Sequence, residues 1–340
     1  MTSKQANLRR LRAVLARRKH PVILIYGNPD PDALASAWAL KEIMRGSRAA
    51  PAIVYTGTVG RQENEAMIRL LRIPAEPLRG SRLEAADGVA LVDCQPDFFQ
   101  DVALPPCDAV FDHHPIRTAS VAAFVDIRPD CLATASILTE YLQTGGIPVS
   151  RRLATALNYG IQTDGRHRQR AHTATDWNAL TFLDPKVDWP LLRRIEFSSY
   201  SLGLLDYFSI ALIRLRHFHH VLYSNVGPVS SADVCAQIAD FLIRVQESNW
   251  AVVSGTVDRR LIIVFRCDGQ KKDAGKTAQA AFGDRGSAGG HRTMGRAEIA
   301  EDRLPGRMLV TQTERIERFV LGSLAKRERV FRTILRALHS

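Results

Sequence analysis

Two aspartates one residue apart, in Asn28-Pro29-Asp30-Pro31-Asp32, are followed along the chain by Asp93, by the run Asp112-His113-His114, and by Asp164 in Gln162-Thr163-Asp164-Gly165. Brought together, such carboxylates would repel one another by about 4 kcal/mol per pair at ~4 Å even with an effective dielectric near 20. No lysine lies within these segments to neutralise them. A divalent cation is the simpler neutraliser, and an oxygen-rich set with one imidazole suits Mn²⁺ or Mg²⁺ better than structural zinc. Two such ions ~3.5–4 Å apart, sharing a carboxylate, would clamp a phosphoryl oxygen and lower the pKa of bound water, which is the chemistry of phosphoester hydrolysis. The first pair also has a plainer reading, a Pro-rich turn whose aspartate caps the next helix.

The elements that must position these side chains are legible as patterns. Apolar runs at 21–26, 51–55, 88–92 and 108–111 read as buried parallel strands, each followed by a helical segment. The strand ends then coincide with Asp30 and Asp32, with Asp93, and with Asp112-His113-His114, at the carboxyl edge where open α/β sheets place ligands. Helices are predicted over 7–19, where Leu8, Leu11, Val14 and Leu15 recur at helical spacing, from about Ala33, and over 132–143 and 151–161. Strands alternating with helices predict a doubly wound, mostly parallel α/β sheet. A second, smaller α+β domain is expected from a helix at 232–246 and a hairpin formed by 250–257 and 260–266 around Asp258-Arg259. A Gly-rich segment at 283–295 and a terminal helix from about 313 complete it. The domain boundaries expected are 1–195, a helical linker at 196–230 ending in a turn-rich stretch, and 231–340.

Composition narrows the function classes. At 340 residues, with 46% hydrophobic and 24% charged residues, the chain can bury a sizeable core and is neither a disulfide-stapled mini-protein nor disordered. Its net charge of +11 favours phosphate-bearing partners. The five cysteines (Cys94, Cys107, Cys131, Cys235, Cys267) form no CxxC pair, which fits a reducing cytoplasm. The sequence has no apolar stretch long enough for a membrane span, and no membrane association is expected.

Taken in order, Asn28-Pro29-Asp30-Pro31-Asp32-Ala33-Leu34-Ala35-Ser36, Asp93, Asp112-His113-His114 and Asp164 resemble the four motifs of the DHH phosphoesterase superfamily. Gly286-Ser287-Ala288-Gly289-Gly290-His291 is similar to the Gly-Gly-His signature of the DHH-associated C-terminal domain. The resemblance, over roughly residues 20–305, is to the nano-RNase and pAp phosphatase branch, RecJ-related but without room for a further barrel domain. It implies two Mn²⁺ ions, with Mg²⁺ or Co²⁺ as substitutes, held by Asp30, Asp32, Asp93, His113 and Asp164 with Asp93 as the bridge. Asp112 would orient His113, and His114 would face the scissile phosphate. Arg266, Gly289, Gly290, His291 and, more weakly, Arg292 would grip the substrate.

The resemblance further implies a substrate among short single-stranded RNA or DNA, pAp and linear or cyclic dinucleotides, cleaved by a metal-activated hydroxide. Tyr26 departs from the pattern, because many members of the branch carry a histidine four residues before the first motif aspartate. That departure keeps a second reading open, a non-catalytic nucleotide-binding sensor with a degenerate metal site.

Several other features admit bland readings. His217, His219 and His220 have no carboxylate in their own short segment and read as a solvated face. Arg166-His167-Arg168-Gln169-Arg170 is either a phosphate contact or ordinary surface. Ile316, Phe319, Val320, Leu324, Phe331, Ile334 and Leu338 form an amphipathic stripe that packs on the body or on a second copy, which admits a homodimer.

Overall fold

The computed structural model describes residues 3–16, 18–45, 50–99, 104–116, 122–165, 172–198, 200–270 and 273–327. The chain divides into two units, Met1–Ser199 and Tyr200–Ser340.

The first unit opens with α1 (Ser3–Leu15), β1 (Pro21–Ile25), α2 (Pro31–Ile43), β2 (Ala52–Tyr55), α3 (Gln62–Leu71) and β3 (Ala75–Pro77). It continues through α4 (Gly80–Glu84), β4 (Gly88–Val92), β5 (Cys107–Asp112) and β6 (Phe124–Ile127), then α5 (Thr134–Thr144), α6 (Arg151–Asp164), α7 (Ala174–Leu183) and α8 (Trp189–Glu196). The strands form one parallel sheet in the order β3-β2-β1-β4-β5-β6. Successive residues in its central strands serve opposite faces. Ile23, Ile25, Ala90, Val92 and Phe111 join the helices in one buried cluster, while Val22, Leu24, Val89, Leu91 and Val110 join Leu83 and Phe99 in another. A strand buried on both faces must be apolar throughout, which explains the unbroken runs. The strand order turns back on itself between β1 and β4, the crevice where such sheets bind ligands.

The edge strands β3 and β6 escaped the pattern reading because short, partly exposed strands carry no continuous apolar run. Helix α1 starts and ends about one turn before the predicted 7–19, and α2 opens at Pro31 instead of Ala33, since proline is preorganised for the first helical position.

The second unit comprises α9 (Leu202–Ile213), β7 (Arg216–Phe218), β8 (Val221–Pro228), α10 (Ala232–Leu242), β9 (Trp250–Val257), β10 (Arg260–Cys267), α11 (Ala274–Phe282), β11 (Ser287–Gly290), β12 (Met294–Ala300) and α12 (Thr313–Arg327). Its sheet runs β11-β12-β10-β9-β8-β7 and is antiparallel except for the β8–β9 pair. The β9–β10 turn has Asp258 and Arg259 both at positive φ (46° and 57°), as a two-residue hairpin requires.

Segment 196–230 is not a linker. It supplies β8, which is buried from Val221 to Gly227 inside the second sheet. The turn-like Asn225-Val226-Gly227-Pro228 is a bulge: the β8–β9 register skips Val226, and Gly227, at φ +80°, donates its N–H to the Asn225 side chain at 3.0 Å. Gly and Pro there mark a kinked strand, which a turn reading cannot tell from a loop.

In α12, Ile316, Val320 and Leu324 are buried, as an amphipathic stripe on the body requires. Phe331, Ile334 and Leu338, and the basic loop 166–170, lie outside the described residues. Among the described residues no helix is long and apolar enough to cross a membrane.

Candidate metal centre

Both readings of the first acid pair hold, one for each residue. Asp30 caps α2, its Oδ1 accepting the Ala33 N–H at 2.9 Å. Asp32, in the first turn, points inward and is fully buried. Its Oδ2 accepts the Thr134 N–H and its Oδ1 the Ala135 N–H, both at 2.7 Å, and Ser36 Oγ donates to Oδ1 at 3.2 Å. Those amides open α5, so a buried carboxylate meets the positive end of a helix dipole. Asp93 follows β4 at φ +59°, a conformation aspartate tolerates better than most residues, while its N–H continues the ladder to Phe111 O at 2.8 Å. Thr134 Oγ1 donates to Asp93 Oδ1 at 3.0 Å.

After β5 the side chains of Asp112, His113 and His114 alternate in direction. His113 turns into the acids: Nε2 lies 3.1 Å from Asp164 Oδ2, 3.5 Å from Asp93 Oδ1 and 3.9 Å from Asp32 Oδ2. This nitrogen is buried. Asp112 turns the other way. Its Oδ1 accepts from the backbone N–H of His113 at 2.8 Å and lies 2.8 Å from His114 Nδ1, while Oδ2 accepts from Gln95 Nε2 at 2.7 Å. The expectation that Asp112 orients the His113 ring is therefore corrected. Asp112 holds the ring of His114, two residues along and on the same side, and the His113 ring has its Nδ1 3.3 Å from Cys131 O.

Asp164 is the last residue of α6, inside the helix and not immediately after it as expected, and Gly165 caps the helix at φ −69°. An acid at a helix C-terminus opposes the dipole, so its placement is explained by what it faces. One turn earlier Gly160 lets α6 approach α2: a Cβ there would stand 3.0 Å from both Asp32 Cα and Pro31 O. A larger residue must push the two acids apart. Gly160→Val is expected to fold with a stability loss of about 1–3 kcal/mol and to weaken Mn²⁺ binding, checked by thermal denaturation and calorimetric titration.

The electrostatics match a site built for a cation. Burial, followed by the charge of Asp164, pushes the Asp32 carboxyl up to about 7 and that of Asp30 up to about 6. Burial and the neighbouring carboxylates raise Asp93 well above the usual range. Burial opposes charge on His113, but the adjacent Asp164 and the charges of Asp32 and Asp112 lift it to about 9. Asp112, buried yet held by His114, stays below the ordinary carboxyl value.

One donor atom each from Asp32, His113 and Asp164 lies within 4.8 Å of the others, and the same holds for Asp93, His113 and His114. A buried imidazole nitrogen among acids fits a divalent ion. Both groups share His113, and among the described residues no other such group of donors occurs. Asp30 contributes charge but belongs to neither group.

The residues expected to bind substrate all fall in the second unit. Arg266 is 9% exposed and engaged internally, Nε donating to Asp240 at 2.6 Å and Nη1 to Phe265 O at 3.0 Å. Arg292 clamps the loop ahead of α11 through Gly269 O at 2.6 Å and Gln270 O at 3.1 Å. Neither presents a phosphate grip in this structure. His291 is exposed at the β11–β12 turn. It bonds back across that turn to Met294, so antiparallel alternation turns the Gly290 amide outward and the Gly289 amide towards Arg296.

Among the described residues His217, His219 and His220 join no donor group. The sequence gives Ser36 a place in the first motif but no role, and singles out neither Gln95, Thr134 and Gly160 nor a site role for Cys131. Thr134, opening a helix, and Gly160, one turn before Asp164, left a local signal; Gln95 left none.

Residues 22–161 match the family model described as DHH family, N-terminal domain. An uncharacterized protein of Methanocaldococcus jannaschii is 34% identical over 284 residues, or 83% of this chain. The chain spans 58% of that relative's length. An exopolyphosphatase-related protein from Bacteroides fragilis shares the fold, with a TM-score of 0.73 at 14% identity, over 98% of this chain and 100% of that one. Asp30, Asp32, Asp93 and the Asp112-His113-His114 run all lie within the matched span, so that residues 22–161 form a DHH family N-terminal domain.

Proposed function

We propose that the chain is a divalent-cation-dependent phosphoesterase acting on short oligonucleotides or nucleotide phosphates. One observation carries this reading: the buried His113 Nε2 lies among the carboxylates of Asp32, Asp93 and Asp164, the nearest 3.1 Å away. Those four residues would hold the ion, with Mn²⁺ suited to the mixed oxygen and imidazole set. A second ion would need Asp30 together with Asp93. When bound, the cation supplies an acidified water and polarises a phosphoryl oxygen.

The chain's own groups do the rest. His114 Nδ1 is tied to Asp112, which leaves Nε2 to exchange a proton with a substrate oxygen. Asp112, held below the ordinary carboxyl value, accepts at His114 Nδ1 and fixes the ring, so that Nε2 can donate to the phosphate. Thr134 fixes Asp93 and, through its amide, Asp32. The net charge of +11 draws polyanions to the surface. In the second unit, His291 and the outward Gly290 amide are the candidates for phosphate binding.

The test is a panel of linear dinucleotide, cyclic dinucleotide, pAp and pyrophosphate with the Mn²⁺-loaded protein. Mononucleotide release from the linear dinucleotide, or orthophosphate release from pAp, is expected, and chelation should abolish it. Saturable nucleotide binding without turnover of any substrate would favour a sensor instead. That second reading draws on Tyr26, an aromatic residue that supplies no good ligand where many relatives of this branch carry a histidine.

A further inference from the structure

We infer that Tyr26, linked to the acidic cluster through Phe98 and His114, is a stacking surface for a nucleobase, so that the site selects base-bearing phosphates; the inference rests on the phosphoesterase reading above. Tyr26 lies just beyond β1, four residues before Asp30, and is 45% exposed. A ring left so open at the carboxyl rim of the sheet contributes little to the core.

The ring is nonetheless held in place. Its centroid lies 4.9 Å from that of Phe99 at 71° and 5.9 Å from that of Phe98 at 72°, both edge-to-face arrangements. Phe99, 6% exposed, belongs to the buried cluster under the sheet and anchors the group. Neither contact is a parallel stack, and nearly half of the ring surface stays open to solvent.

The row continues to the chemistry. The Phe98 ring lies 6.0 Å from that of His114, and His114 Nδ1 is 3.8 Å from Asp93 Oδ1. Acids, His114, Phe98 and Tyr26 thus follow one another without a break. A phosphate at the acid end would lay the sugar and base of the same nucleotide along the rings. Aromatic faces accept any base, giving affinity without sequence preference. Inorganic pyrophosphate or polyphosphate would gain nothing from such a wall, which is why the row argues for nucleotides.

The experiment is equilibrium binding of AMP and of ribose phosphate to the Mn²⁺-loaded protein, in wild type, Tyr26→Ala and Tyr26→Phe, alongside hydrolysis of the panel above. Wild type should prefer AMP. That preference should fall roughly fivefold to 150-fold in Tyr26→Ala and survive in Tyr26→Phe, which keeps the ring. An unchanged preference in Tyr26→Ala, or no preference in wild type, would overturn the inference. Hydrolysis without base preference would leave the phosphoesterase reading standing and remove this one; base preference without hydrolysis would do the reverse.

Discussion

Asp93→Asn is expected to lower kcat/KM on the preferred phosphoester by on the order of 10³-fold while making the metal-free protein more stable. The two effects share a cause. Asp93 sits at the end of β4 with His113 Nε2 3.5 Å away, and its neighbours Asp32, Asp30 and Asp164 already oppose its charge. Asparagine keeps the shape, tolerates φ +59°, and can still accept from Thr134 Oγ1. What disappears is the cost of a buried carboxyl among like charges, borne either as an anion or as a proton taken up on folding. Without a cation that relief is worth about 1–2 kcal/mol, or ~2–8 °C in Tm for a domain of this size. With a cation the substitution removes a ligand. Steady-state kinetics and scanning calorimetry on the same preparation read both effects. Retained activity would take Asp93 out of the machinery, and lost stability would show that the cluster is not under electrostatic strain.

Without metal, the protein is expected to become less stable as pH rises from about 4 to about 9, and Mn²⁺ should reverse that slope. The buried carboxyls of Asp32 and Asp30 titrate at about 7 and about 6 in the folded chain and near 3.9 when unfolded. Between those values the native state holds more protons than the unfolded one, so stability falls as pH rises. It is fully present below the unfolded pKa and gone above the folded one. His113, lifted to about 9 from 6.5, acts in the same direction at the upper end. Burial of Asp32 alone makes the change a matter of a few kcal/mol.

A bound cation replaces the protons. At a hundredfold excess over Kd it adds about 2.7 kcal/mol, equivalent to ~5–11 °C for a unit of this length. Its affinity rises with pH because the ligands must be ionised. Melting curves at several pH values, with chelator and with Mn²⁺, should cross. Parallel curves would mean that the acids do not share an ion.

The sequence exposed the chemistry better than its support. The ligand-type residues were legible because parallel strands announce themselves as apolar runs, and the acids stand where those runs stop. Much of the supporting detail depends on tertiary placement. Nothing local tells that the amides of Thr134 and Ala135 are spent on Asp32, 102 and 103 residues earlier, or that Gln95 serves Asp112. Asp112 departs from its expected role for a local reason: consecutive side chains at a strand end diverge, so the acid reaches the ring of the second histidine and only the backbone of the first. Arg266 looked available because a strand-end arginine in sequence shows no sign of Asp240, which reaches it from α10. Strand β8 was hidden by its own bulge.

The most direct test is calorimetric titration of the metal-free protein with Mn²⁺ near neutral pH, in wild type, His113→Ala and Asp164→Asn. Tight uptake of at least one ion per chain by wild type, sharply weakened in both variants, is the predicted outcome. Uptake by His113→Ala as tight as in wild type, or no uptake by wild type, would contradict a cation centre assembled around the His113 ring.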